Sequence, residues 1–186
     1  MSSREALLAM QERLARRLQA GPADDGQACW LAVHAGASRY LLPLAQAGEI
    51  FPYAPPQRVP YTQAWFLGVA HLRGGLWAAI DLAPFLGDDS AALPGSPSSG
   101  LRRASPEVGE EARLVTFHAQ LEVNGALRVD RLAGLRGPDD FPSSVAPQAP
   151  APAWFGPRYS DAQGQVWQAL SLAALARDPR FLSLAD

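Results

Sequence analysis

The chain has 186 residues, of which 48% are hydrophobic and 18% charged, and its formal net charge is -2. This is a globular composition, enough for one sizeable core or two small subdomains sharing one, and it offers no general attraction to a phosphate backbone, so nucleic acid is not an expected partner. All 16 basic residues are arginine, which excludes a Walker A phosphate loop, Schiff-base chemistry and a protein-kinase ATP site, each of which needs a lysine.

In chain order, Ser3 to Ala20 reads as an amphipathic helix within an N-terminal segment 1–22. Leu7, Met10, Leu14 and Leu18 form an apolar stripe, and Gly21-Pro22 stops it. The pattern turns to strands at Cys29. Trp30 to Val33 and Arg39 to Leu44 suggest a hairpin, with Gln46 to Ile50 extending the same unit. Two apolar runs, Trp65 to Leu72 and Leu76 to Leu82, flank Arg73-Gly74-Gly75, a hairpin with one arginine at its tip. Leu76, Ala78, Ile80 and Leu82 alternate along the return arm, which predicts one buried face there. The outgoing arm is apolar almost throughout, as a strand covered on both sides would be.

Residues 88–110 are rich in Ser, Pro, Gly and charge, the composition of an insertion, and they separate a pair of β-rich halves. Ala112 to Phe117 is a predicted strand, and Gln120 to Asp130 a predicted hairpin turning at Asn124-Gly125. Leu132 to Leu135 continues the sheet, and 137–157 is proline-laden loop. Tyr159 to Leu170 forms a last hairpin, and Leu172 to Leu184 has helical character broken at Asp178-Pro179. Many short strands at close spacing favour small barrels. The leucine-rich segments Asp81 to Leu86 and Ser171 to Leu175 echo each other, which suggests a duplicated barrel plan.

Few residues invite chemistry. Cys29, the single cysteine, excludes an intramolecular disulfide, suits a cytoplasmic address, and reads as a small buried hydrophobe beside Trp30. No stretch reaches the roughly 20 apolar residues of a membrane span. His34, His71 and His118 lack metal-ligand spacing, so neither metal nor cofactor is expected. The tryptophans are expected in the core, with Trp65 a candidate for a docking patch. Arg73 is the strongest candidate for recognition, because a hairpin tip holds its planar fork with little entropy to lose. The plainer alternative is that it only tethers the turn to an acid such as Glu49. Gly68 marks a bulge or a close backbone approach.

Leu42-Pro43, Glu49-Ile50, Pro60, Trp65, Gly68-Val69, Leu72-Arg73-Gly74 and Asp81-Leu82 together resemble the CheW-like domain of bacterial chemosensory adaptors. The likeness runs over about 28–184. The leading helix and the closing Asp178 to Leu182 resemble most the stand-alone PilI-type adaptors of type IV pilus (twitching motility) systems. The resemblance implies a mainly β fold of two small five-stranded SH3-like barrels sharing a core, with an N-terminal and a short C-terminal helix. It further implies a non-catalytic adaptor joining the cytoplasmic tip of a methyl-accepting receptor to the regulatory domain of a CheA-type histidine kinase. Such an adaptor is cytoplasmic and reaches membrane receptor arrays only through its partners. By matching position, Glu49, Gly68 and Arg73 fall at partner-binding positions. His71 departs from the family's usual asparagine, and 88–110 is longer than a typical connection. The competing reading is a small β-barrel enzyme or ligand-binding domain, with His71, Asp81 and Asp130 converging in a pocket between the barrels.

Overall fold

The computed structural model describes residues 29–87 and 111–185. The N-terminal helix and the 88–110 insertion expected from the sequence lie outside these residues. Among the described residues eleven strands form two sheets: β1 (Trp30–Ala35), β2 (Ser38–Pro43), β3 (Ala47–Pro52), β4 (Phe66–Leu72), β5 (Gly75–Asp81), β6 (Arg113–Phe117), β7 (Gly125–Val129), β8 (Arg131–Arg136), β9 (Ser143–Val145), β10 (Phe155–Ser160) and β11 (Val166–Leu170). The same residues hold three one-turn helices, α1 (Leu82–Leu86), α2 (Leu172–Leu175) and α3 (Pro179–Leu182).

One sheet runs β3-β6-β7-β5-β4 and the other β8-β1-β2-β11-β10-β9. Over their first five places the two orders share one pairing pattern: antiparallel, antiparallel, parallel, antiparallel. The three-residue β9 is an addition at the edge. The mainly β, five-stranded duplicated plan expected from the sequence is therefore present, but its division is not at 88–110. That segment joins α1 to β6 within a single sheet. One repeat is continuous from β3 to β7, whereas the other takes β8, β10 and β11 from the end of the chain and β1 and β2 from its start. Sequence halves misled because strand pairing follows burial of apolar faces, not chain proximity.

The repeats also match in detail. Trp65-Phe66 opens β4 and Trp154-Phe155 opens β10. The carbonyl of Trp65 accepts the Asp81 N–H at 2.8 Å, and that of Trp154 accepts the Ser171 N–H at 2.8 Å. Each bond ties a hairpin's first strand to the residue that starts a one-turn helix. Ser171 Oγ accepts from Ala174 N, and Asp178 Oδ1 from Arg180 N, at the starts of α2 and α3.

The principal core lies between the sheets and joins Leu31, Val33, Leu42, Ile80, Phe117 and Leu127 to Phe85 and Phe181 from the helices. Each sheet carries a smaller apolar cluster on its other face, around Trp30 and Trp167 in one and around Ala79 and Leu114 in the other. Alternate side chains thus bury in opposite directions. This two-sided cover suits β4, where Phe66 belongs to the principal core and Ala70 to the outer cluster. Trp30, Trp65, Trp154 and Trp167 are all buried.

Four sequence expectations need correction. Gln46 to Ile50 does not extend the first hairpin, since β3 crosses to the other sheet and pairs with β6. Asn124-Gly125 is not a hairpin turn. Gly125 begins β7, and a 3-10 turn at Ala119–Leu121 with Glu122 at φ +56° makes the reversal. The Asn124 carbonyl instead accepts from Ala78 N, setting the parallel β5–β7 register. Leu76 is 63% exposed, because the hairpin tip projects beyond the core. Cys29 is exposed at the foot of β1 rather than buried.

Candidate partner-binding site

The site is built on the β4–β5 hairpin. Leu72 pairs with Gly75, leaving a two-residue turn of Arg73 at φ +46° and Gly74 at φ +78°. Two successive positive φ values are the geometry whose twist matches the flanking strands, which is why so short a loop closes here. It holds Arg73 in a backbone state that residues with a Cβ rarely adopt.

Arg73 Nε lies 2.8 Å from Glu49 Oε2, with side chains 74% and 51% exposed. Glu49 sits on β3 and Arg73 immediately follows β4, so the pair joins the two outermost strands of the five-stranded sheet. Glu49 is fixed through its backbone: its N–H donates to Thr116 Oγ1 at 2.8 Å, and the same hydroxyl donates back to its carbonyl at 3.1 Å. The register shifts between Ala47 and Ile50. A Cβ at Gly48 would stand 2.6 Å from that hydroxyl, so the tight β3–β6 approach requires glycine there.

Between β3 and the hairpin lies an open groove of about 410 Å³, lined by Phe51, Leu72, Trp77 and Phe117 and rimmed by the Arg73–Glu49 pair. The groove is mainly apolar, with the charged pair at its lip.

Gly68 acts from behind. At φ +129° it lies in a register shift of β4, and a Cβ there would collide with the carbonyl of Gln57. Gln57 and Val69 exchange backbone hydrogen bonds at 2.8 Å each, which lays the proline-rich segment against β4. Gly68 is thus both the bulge and the close approach that the sequence suggested, and its effect on the tip is indirect.

Of the residues of the competing reading, Asp81 and Asp130 meet on one arginine and His71 stands apart. Asp81 and Asp130 both bind Arg128, at 2.9 Å and 3.0 Å, and Asp130 Oδ2 also accepts from Gly36 N at 2.7 Å. Arg128, only 12% exposed, further lies over the Tyr53 ring. These bonds link the β1–β2 turn of one sheet to β5 and β7 of the other. Burial raises the Asp81 carboxyl above its ordinary range, against the pull of Arg128. His71 is exposed on β4, beside a separate hollow with Pro55 and Pro56. His34 is held below its ordinary range by burial and then by Arg131 and Arg39. Among the described residues no group of three or more His, Cys, Asp or Glu is placed to hold a metal, and no helix is long and apolar enough to cross a membrane.

The sequence reading passed over Arg128 and Thr116. A lone arginine inside the apolar run Ala126 to Val129, with acids nearby in sequence, was the available signal for the first. Nothing marked Thr116.

The CheW-like domain family matches residues 30–180. The chain belongs to that family. Over an alignment of 187 positions it is 29% identical to "Protein PilI" of Pseudomonas aeruginosa, covering 96% of this chain and 94% of that one. Its fold is like that of the scaffolding protein TtCheW from Thermoanaerobacter tengcongensis, with a TM-score of 0.57 at 14% identity, over 78% of this chain and 90% of that one.

Proposed function

We propose that this CheW-like protein is a non-catalytic chemosensory adaptor that couples methyl-accepting receptors to a CheA-type histidine kinase, in a system of the type IV pilus (twitching motility) kind. In this reading the CheW-like domain spans about 28–184 behind the N-terminal helix of 1–22. The protein works in the cytoplasm, held at receptor arrays by its partners. The observation that carries the reading is the exposed guanidinium of Arg73, fixed on a two-residue turn at the lip of an apolar groove. Near-full-length similarity to a PilI protein supports the pilus assignment.

Arg73 and Glu49 form the partner-binding pair, and Gly68 keeps the hairpin in the shape that presents them. Arg73 has its terminal nitrogens without a hydrogen-bond partner among the described residues, so a partner carboxylate can engage them while Glu49 steadies Nε. Control of the kinase then follows from unequal affinity for two receptor states. The test is reconstitution with a receptor tip and the kinase. Arg73→Glu should abolish receptor-dependent control of autophosphorylation while the circular dichroism spectrum and Tm stay near those of the parent. Full control by that variant would refute the role of the pair.

A further inference from the structure

A second arginine site lies on the other sheet, where β2 and β11 diverge. These strands pair only through Tyr40–Gln168 and Ala169–Leu41. Beside the pairing is a hollow of about 270 Å³ lined by Ser38, Arg39, Tyr40, Arg158, Val166 and Gln168, among others, and no carboxylate among the described residues lines it.

Both arginines there have unused donors. Arg158 is held in place: its Nε donates to Gln168 Oε1 at 3.1 Å, while Gln168 Nε2 donates to the carbonyls of Gly156 at 2.7 Å and Ala169 at 2.9 Å. The amide is therefore locked to the backbone, and it orients one edge of the guanidinium. The two terminal nitrogens of Arg158 have no partner among the described residues. Arg39 Nε is buried and makes no hydrogen bond at all. A buried charged donor without a partner is costly, and a positioned fork with idle donors matches the geometry of an oxyanion.

We propose that this hollow is an oxyanion-binding site, in which Arg158, oriented by Gln168, and Arg39 together hold a carboxylate or phosphate group. The site is separate from the Arg73 groove and does not depend on the adaptor reading.

The full-length chain, labelled with 15N, is titrated with sodium phosphate and separately with a glutamate-rich peptide, at ionic strength fixed with chloride. Saturable shifts of the arginine Nε–H resonances are expected, and Arg158→Gln and Arg39→Gln should each weaken binding roughly tenfold. Gln168→Leu should weaken it in the same direction by freeing Arg158. The control Arg177→Gln, which removes equal charge from outside the hollow, should leave it unchanged. Response to phosphate would identify a free oxyanion as the ligand, and response to the peptide alone a carboxylate presented by a partner protein. Linear, non-saturating shifts with both probes would overturn the proposal. If Arg39→Gln fails to fold, unchanged affinity of the exposed Arg158→Gln variant overturns it alone.

Discussion

The β4–β5 and β10–β11 hairpins occupy matching places in the two repeats, yet they treat the charge at their tips in opposite ways. At the β10–β11 tip, Asp161 turns inward and is only 6% exposed. Its carboxylate accepts from Trp167 Nε1 at 3.0 Å, Gln163 N at 3.0 Å and Gln165 N at 2.9 Å. Those bonds, led by the one from Trp167, hold its carboxyl below the ordinary range. At the β4–β5 tip, Arg73 turns outward to a single exposed partner. One charge is consumed by closing its own turn, while the other keeps its terminal donors exposed. In the proposed function, binding capacity resides where the fold has not used up the donors.

The sharpest way to break this contrast is in the tryptophans beneath the tips. Trp167→Ala should cost about 3–5 kcal/mol of stability, because it empties a buried ring site and strips Asp161 of a donor. Trp77→Ala should cost clearly less, since Trp77 is only half-buried at the groove. Urea unfolding of both variants checks the order, and equal losses would erase the distinction.

Next come the glycines that follow each Trp-Phe pair. Gly68→Ala should lose about 2–4 kcal/mol through positive φ and the Gln57 collision together. Gly156 has no positive φ, and a Cβ there would meet the Ala169 side chain at 3.2 Å and its carbonyl oxygen at 3.4 Å, with no overlap as close as that at Gly68. Gly156→Ala should therefore cost less in the same assay.

A smaller effect shows at the β10–β11 tip as pH falls. The folded Asp161 carboxyl titrates below 3.8, its ordinary value, so the unfolded chain binds the proton first as pH falls. Its stabilising contribution is full above that value and is lost as pH drops through the folded pKa. Asp161→Asn should flatten this acid limb of Tm against pH.

The smallest expected change in stability is Arg73→Ala, within about 1 kcal/mol, because an exposed pair gains little over water. Its effect on kinase control should nevertheless be large. A Tm loss comparable to that of Gly68→Ala would mean that Arg73 serves the fold rather than a partner.

By itself the sequence determined the local elements whose signals are local. Arg73-Gly74 closes its hairpin, Gly68 makes its bulge, Asp178-Pro179 breaks and restarts the closing helices, and the tryptophans mostly lie in the core. Each follows from backbone sterics or from apolar area within a few residues. The pairing of Arg73 with Glu49 was legible as a possibility because an acid lay on the strand that precedes β4 in the chain. Tertiary structure alone decided what depends on distant partners. Asn124-Gly125 has turn chemistry, yet it enters a strand because Ala78 supplies a parallel partner for its carbonyl. Asp81 and Asp130 read as cleft acids until Arg128 bound both. The two repeats could not be divided along the chain, because the strands that close one of them come from its opposite ends, and apolar faces bury against whichever strands complete the sheet.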